Sequence, residues 1–284
     1  MSETNFSLVN LKALSKPATK LIEAVSSACG ILFEPRRIRR KANADADATV
    51  ILAKSQVECR DIEVRASERL RKRELRRQEN IENITSEAMK ALPETVSDEP
   101  IDEDWVYRFF DNCQDVGKED MQYLWGKLLA GEVSKPGTYS MLTLSVVKNL
   151  SVEDANLFTK LCSFNWKIND KYFPILSSIN KDESLKIELS IDELMHLSSF
   201  DLVNFDPINR FMLYFEGQEF ESGIVAVYYD SYYTINHNKK ESLLDTGGVR
   251  FTYVGQELAH IAGGKGSDKY RDSILEMWRK QGFI

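Results

Sequence analysis

The sequence is poor in the residues from which most catalytic and metal sites are built. It has four cysteines, Cys29, Cys59, Cys113 and Cys162, and three histidines, His196, His237 and His260. They are widely spaced, with no C-x-x-C pair and no H-E-x-x-H, so no zinc or other metal centre is expected. No Asp or Glu is followed two positions later by Lys, which removes the acidic half of the common restriction-type nuclease motif. No G-x-S-x-G elbow is present. "GGKGS" at 263–267 lacks the spacing of a phosphate loop and follows a helix pattern instead of a strand, so it reads as a turn. No catalytic residue and no cofactor is expected, and the protein reads as non-enzymatic.

Long apolar runs are missing as well. The longest near the start, "LIEAVSSACGILF" at 21–33, has thirteen residues and one charge, Glu23, whereas a bilayer span needs ~20. There is no n-region, h-region and cleavage pattern. The expectation is a reduced, cytoplasmic protein. The apolar run followed by Arg36, Arg37, Arg39, Arg40 and Lys41 leaves open a peripheral place at an anionic membrane surface. A helix of the core is the simpler account of the same residues.

Proline and glycine are absent from Arg36 to Leu92, a stretch of 57 residues rich in Ala, Arg, Glu, Lys and Leu. Pro35 and Pro93 bracket it. One helix of ~85 Å is expected, with a break tolerated near Asn80–Thr85. Its charge is unlike that of the rest. Between Arg36 and Arg77 there are 14 basic and 7 acidic residues, in a chain whose net charge is −7. A heptad fails, since it brings Arg60 and Arg71 into the seam. An eleven-residue repeat fits: Ala48, Cys59, Leu70 and Ile81 form one row, and Ile51, Ile62, Arg73 and Ile84 another, with Arg73 the exception. Eleven residues in three turns make a nearly straight stripe, too narrow for a globular core and suited to a bundle seam. A lone helix of this length needs a covering surface. Ile51, Cys59, Ile62, Leu70, Ile81 and Ile84 are therefore expected to mediate coiled-coil-like self-assembly into a homo-oligomer. The basic residues, Arg71, Lys72 and Arg73 with the cluster at 36–41, are a solvated face in that reading. In the alternative they bind nucleic acid phosphates.

Three domains are expected, divided by composition: 1–93, the apolar helix and the basic rod; 94–165, helical; 166–284, α+β. The linker "TVSDEP" at 95–100 opens the second. Helices are expected at about 102–113, carrying Trp105, Phe109 and Phe110; at about 118–130, carrying Met121, Leu124, Trp125, Leu128 and Leu129 and stopping at Gly131; and at about 140–149. A fourth opens on the capping box Ser151–Asp154. In the third domain Ser190–Glu193 is a second capping box. "INRFMLYF", "GIVAVYYDSYYTIN" and "GGVRFTYV" read as strands. A helix follows from about Thr252, with Gly263 as its stop. An amphipathic helix with Ile274, Leu275 and Trp278 closes the chain. This order is winged-helix-like. The candidate recognition helix carries Asp192 and Glu193 and no Lys or Arg, which disfavours DNA, so the domain reads as a protein-interaction module. The fold class expected is mainly α with a smaller α+β part.

"LWGKLLAGEVSKPGTYSMLTLSVVKNLSVEDANLF" at 124–158, with "LSKPATKLIEAVSSACGILFEPRRIRRKA" at 14–42, resembles a bacterial family known only as a domain of unknown function. The resemblance spans most of the chain and is strongest in 14–42 and 101–161. It implies no chemistry. Related families of unknown function lie near prophage and phage-defence genes, which places a defence or stress-response role among the expectations.

Overall fold

Capping residues and apolar spacing set most of the elements in the computed structural model, which describes residues 15–29, 59–176, 189–215, 223–236 and 242–284. The chain is mainly α with a smaller α+β part. It divides into two compact units, Met1–Leu144 and Ser145–Ile284. The division falls inside a helix.

In the first unit α1 (Lys16–Cys29) has Pro17 in its first turn, where a missing N–H costs nothing. Leu21 and Val25, four apart, are fully buried. The long helix α2 (Cys59–Ala91) follows. It runs unbroken through Asn80–Thr85, because the polar side chains there are satisfied without disturbing the backbone ladder. Asn80 Nδ2 donates to the Gln114 carbonyl at 2.9 Å, and Thr85 Oγ1 donates to the Ile81 carbonyl at 2.7 Å. Helix α3 (Glu103–Cys113) is capped by Asp102, whose carboxylate accepts from the amides of Asp104 and Trp105. Its aromatic face meets α4 (Glu119–Ser134): Phe109 stacks on Trp105 and lies edge-on to Trp125, both at 5.2 Å between centroids.

Helix α4 does not stop at Gly131. It continues to Ser134, and Gly131 serves close approach: a Cβ there would lie 2.7 Å from the Tyr139 ring. The turn beyond is held by the buried carboxylate of Glu132, which accepts from the amides of Gly137 at 2.6 Å and Tyr139 at 3.0 Å. Gly137, at φ 80°, supplies the left-handed residue of that turn. Helix α5 (Met141–Asn149) carries the chain across the division.

The second unit opens with α6 (Val152–Cys162) on the expected capping box, Ser151 and Asp154 each bonding the other's backbone amide. Strands β1 (Asn165–Ile168) and β2 (Lys171–Pro174) form a hairpin that the sequence pattern did not reveal. Asn169 and Asp170, both at positive φ, make its two-residue turn. Next come α7 (Ile191–Ser199), β3 (Val203–Phe205), β4 (Phe211–Phe215), β5 (Ile224–Tyr228), β6 (Ser231–Ile235), β7 (Ser242–Gly247), β8 (Val249–Phe251), α8 (Tyr253–Ala259) and α9 (Asp268–Gln281). A four-stranded antiparallel sheet has the order β2-β1-β5-β6, while β3 pairs with β8 and β4 with β7 as separate two-stranded ladders.

That pairing departs from a simple wing. The ladders β3–β8 and β4–β7 bracket the β5–β6 hairpin in sequence, and the hairpin joins β1 instead. Helix α9 covers the inner face of the four-stranded sheet with Tyr270, Ile274, Leu275 and Trp278, packed with Trp166, Ile168, Ala226 and Tyr228. Trp166 and Trp278 meet at 4.5 Å between centroids. On α8, Gln256 accepts from the Tyr172 amide at 2.8 Å and donates to its carbonyl at 2.7 Å, so its side chain occupies backbone groups of edge strand β2 that would otherwise be open.

Candidate interaction surface

Two different environments share the apolar residues of α2 that the eleven-residue spacing groups. In its lower part Ile81 is 7 % exposed, and Ile84, Thr85 and Ala88 are fully buried. The cover comes from the same chain. Gly126 of α4 lets the two helices touch: a Cβ there would fall 2.6 Å from Glu87 Cβ and 2.9 Å from the Ala88 amide nitrogen. Eleven residues before Ile81 the stripe reaches Leu70, and beyond it Ala66 and Ile62, and there it is open. Ile62 is 68 % exposed and Leu70 51 %. Ile81 and Ile84 are thus core residues of one protomer, which corrects their expected place in an intermolecular seam. Ile62 and Leu70 are uncovered. Cys59 is the first residue of α2, and Ile51 lies outside the described residues.

Ion pairs mark the change of environment. Arg77 grips Asp115, in the α3–α4 loop, through Nε–Oδ1 at 3.0 Å and Nη2–Oδ2 at 2.8 Å, and Arg76 adds a contact at 3.2 Å. Glu74 accepts from Arg73 at 3.0 Å and from Arg77 at 3.3 Å. The hydrogen bond from Arg77, then that from Arg76, holds the Asp115 carboxyl below the usual carboxylate range. One turn further, Asn80 Oδ1 accepts from Gln122 Nε2 at 3.2 Å, and Gln122 also donates to the Val116 carbonyl at 2.9 Å. This polar seat fixes the height at which α2 docks on α4.

The basic residues separate in the same way. Lys72 and Arg73 are exposed and Arg71 is half-buried. On a helical projection Arg65, Arg69, Lys72 and Arg76 line one side of the open stripe, and Glu63 and Glu74 line the other. Arg36, Arg37, Arg39, Arg40 and Lys41 lie outside the described residues. Over the described part of the N-terminal apolar run, Leu21 and Val25 are spent on the core of the first unit. That face is not available to a membrane. Among the described residues, no helix is long and apolar enough to cross a membrane.

In the second unit, Asp154 Oδ1 meets His196 Nε2 at 2.6 Å, joining α6 to α7. Sequence reasoning found each residue only as a capping or isolated group; forty-two positions of separation conceal the pair. Burial alone would push the Asp154 carboxyl up. Hydrogen bonds from His196 and from Ser151 prevail and hold it below the usual range. Ser151, Asp154 and His196 are not arranged as a nucleophilic triad: His196 Nε2 bonds the Asp154 carboxylate, and Ser151 Oγ accepts from the Asp154 amide at 3.1 Å. Burial pushes Cys29 up to about 12 and holds Cys113 and Cys162 well above the ordinary thiol range. No group of His, Cys, Asp and Glu suited to a metal occurs among the described residues.

These features define a mainly helical protein whose long helix carries an exposed, charge-flanked apolar stripe. The chain belongs to the family described as "Protein of unknown function (DUF2806)", which matches residues 64–275. The match includes the 124–158 segment that carried the resemblance and leaves 14–42 outside. No curated protein and no solved structure matches the chain.

Proposed function

We propose that this is a non-enzymatic interaction protein that assembles with copies of itself through the upper half of α2. One observation carries the reading: a single stripe is fully covered by the protomer's own α4 at Ile84 and Ala88, yet open at Ile62 and Leu70. Among the described residues, nothing in the protomer covers the apolar side chains of Ile62 and Leu70. A helix that runs off its support gains stability from a partner face. The extended coiled coil first expected gives way to a shorter contact, since the lower stripe is already occupied.

Sedimentation velocity over a range of concentrations, with the natural chain and with Leu70→Glu, tests this. A concentration-dependent oligomer that Leu70→Glu abolishes supports the reading; a monomer at every concentration defeats it. The defence or stress-response setting implied by the resemblance belongs to the same proposal, and plaque counts on cells with and without the protein test it.

A second reading has its own support in the basic flank Arg65, Arg69, Lys72 and Arg76, all four of them exposed. Such a row suits a phosphate backbone. Filter binding to duplex DNA at two salt concentrations decides it: affinity that falls steeply with salt, and is lost in Arg69→Glu/Lys72→Glu, favours nucleic acid.

A further inference from the structure

The open stripe has a shape as well as a chemistry. Ile62, Ala66 and Leu70 follow one another at intervals of four, which makes them a single i±4 ridge with its smallest side chain in the middle. When two such ridges interdigitate, helices cross at about −50°, the commonest packing of globular proteins; the ~20° of a coiled coil needs a ridge of the other kind as well. Ala66 at the centre lets the backbones approach.

The lower stripe adds a constraint. Helix α4 lies against the face that Ile84 and Ala88 present. The open ridge is on that same face of α2. A second copy running alongside α2 for its whole length would therefore meet α4 soon after Arg77. A crossed pair avoids the collision, because the helices separate quickly on either side of the contact.

The flanks give the sense of the pair. Glu63 and Glu74 stand on one side of the stripe, and Arg65, Arg69, Lys72 and Arg76 on the other. In a two-fold pair whose helices point the same way, the acidic flank of each copy meets the basic flank of the other. In the opposite sense, like meets like. The stripe is thus self-complementary in charge, and its natural occupant is a second copy.

We infer that two copies pair in the same sense across the Ile62–Ala66–Leu70 ridge, crossing at Ala66, and do not wind into a coiled coil. The inference rests on the self-assembly reading. Its test is a distance. Lys90 lies 24 residues below the crossing, about 36 Å along the helix, with an exposed side chain. A spin label at Lys90→Cys, on a Cys29→Ser/Cys59→Ser background, reports its separation from its own copy by pulsed electron resonance. A same-sense crossing near 50° places the two labels about 30 Å apart. An extended coil places them within about 20 Å, and an opposite-sense crossing about 65 Å apart. Either of those distances overturns the crossed arrangement and leaves self-assembly standing. A monomeric sedimentation mass with no dipolar signal overturns both. Ala66→Leu supplies a check at an exposed position that folding does not need. A larger residue at the crossing raises the dimer dissociation constant at least tenfold if the helices cross there. In an extended coil it strengthens the pair, and that result refutes the crossing.

Discussion

Two substitutions on one stripe should behave as if they belonged to different proteins. Ile84 is fully buried against the protomer's own helices, whereas Leu70, fourteen residues earlier on the same stripe, is 51 % exposed. Ile84→Ala removes three carbon groups from a closed core. At about 0.8 kcal/mol for each, the transfer loss is about 2.4 kcal/mol. The cavity adds to this, because the α2–α4 crossing is pinned by the Gly126 contact and by the Asn80–Gln122 seat and cannot collapse freely. The whole cost should be about 3–4 kcal/mol, within the range known for such truncations. Leu70→Ala in the isolated protomer removes atoms that already face water, and its cost should stay below about 0.5 kcal/mol. Its effect should appear in association instead. Urea unfolding at a concentration where the protein is monomeric separates the two, and sedimentation reads the second. If Leu70→Ala costs the dilute monomer more than about 1 kcal/mol, Leu70 is covered by its own chain and the open stripe does not exist. If Ile84→Ala costs less than about 1 kcal/mol, the division of the stripe is wrong.

Other consequences follow from particular contacts. Gly126→Ala places a methyl within 2.9 Å of backbone in α2, so it should destabilise the first unit by about 1–3 kcal/mol in urea, although alanine is the better helix former. Asp115→Asn should loosen the Arg76–Arg77 clamp, seen as faster amide exchange in α2 above Asn80 with little change in global stability, since the pair is partly exposed. The Asp154 carboxyl is held low when folded. Its stabilising contribution is therefore complete above the ordinary carboxylate value of about 4 and is lost as pH falls through the lower folded value. Asp154→Asn should flatten that acid limb of the unfolding curve, and an unchanged limb would show that the His196 bond contributes nothing. Gln256→Ala opens the β2 edge and should raise amide exchange at Tyr172 while leaving the Trp166–Trp278 core intact.

Helix content and caps were legible because they depend on neighbours in sequence. Ser151–Asp154 and Ser190–Glu193 are capping boxes in the structure as in the pattern, each closed by bonds between residues three apart. Gly131 misled because glycine has two uses. Its position at the end of an apolar helix suggests a stop, while the Tyr139 ring that requires a bare Cα lies eight residues away and becomes apparent only once the turn folds. The β1–β2 hairpin was hidden for a similar reason. "NWKI" and "KYFP" are four residues each, too short to show alternation, and they gain strand character from β5 and α9, far along the chain. Strand pairing was the least legible feature: β4 takes β7 as its partner across the β5–β6 hairpin, and no local signal encodes that choice.

The stripe itself poses the deeper question, because a periodic apolar row states that a face is buried without stating by what. Its eleven-residue rows read equally well at Ile62 and at Ile84, yet one is open and the other closed. The residue that broke the pattern held the distinction. Arg73 stands in the row of Ile62 and Ile84, and Arg77 stands in the row of Ala66 and Ala88. Each ties to Glu74, and Arg77 also to Asp115. Arg77, the more covered of the two, needs a partner at hand, and the α3–α4 loop supplies it in Asp115. Below that layer the buried polar residues are both satisfied, Asn80 by Gln114 and Gln122 and Thr85 within its own helix, so the face can be sealed. The charges at Arg73–Arg77 are therefore the junction at which the protomer stops covering its own helix. An exception inside a repeat marks a change of partner, and the length of open ridge above it sets the size of whatever binds there.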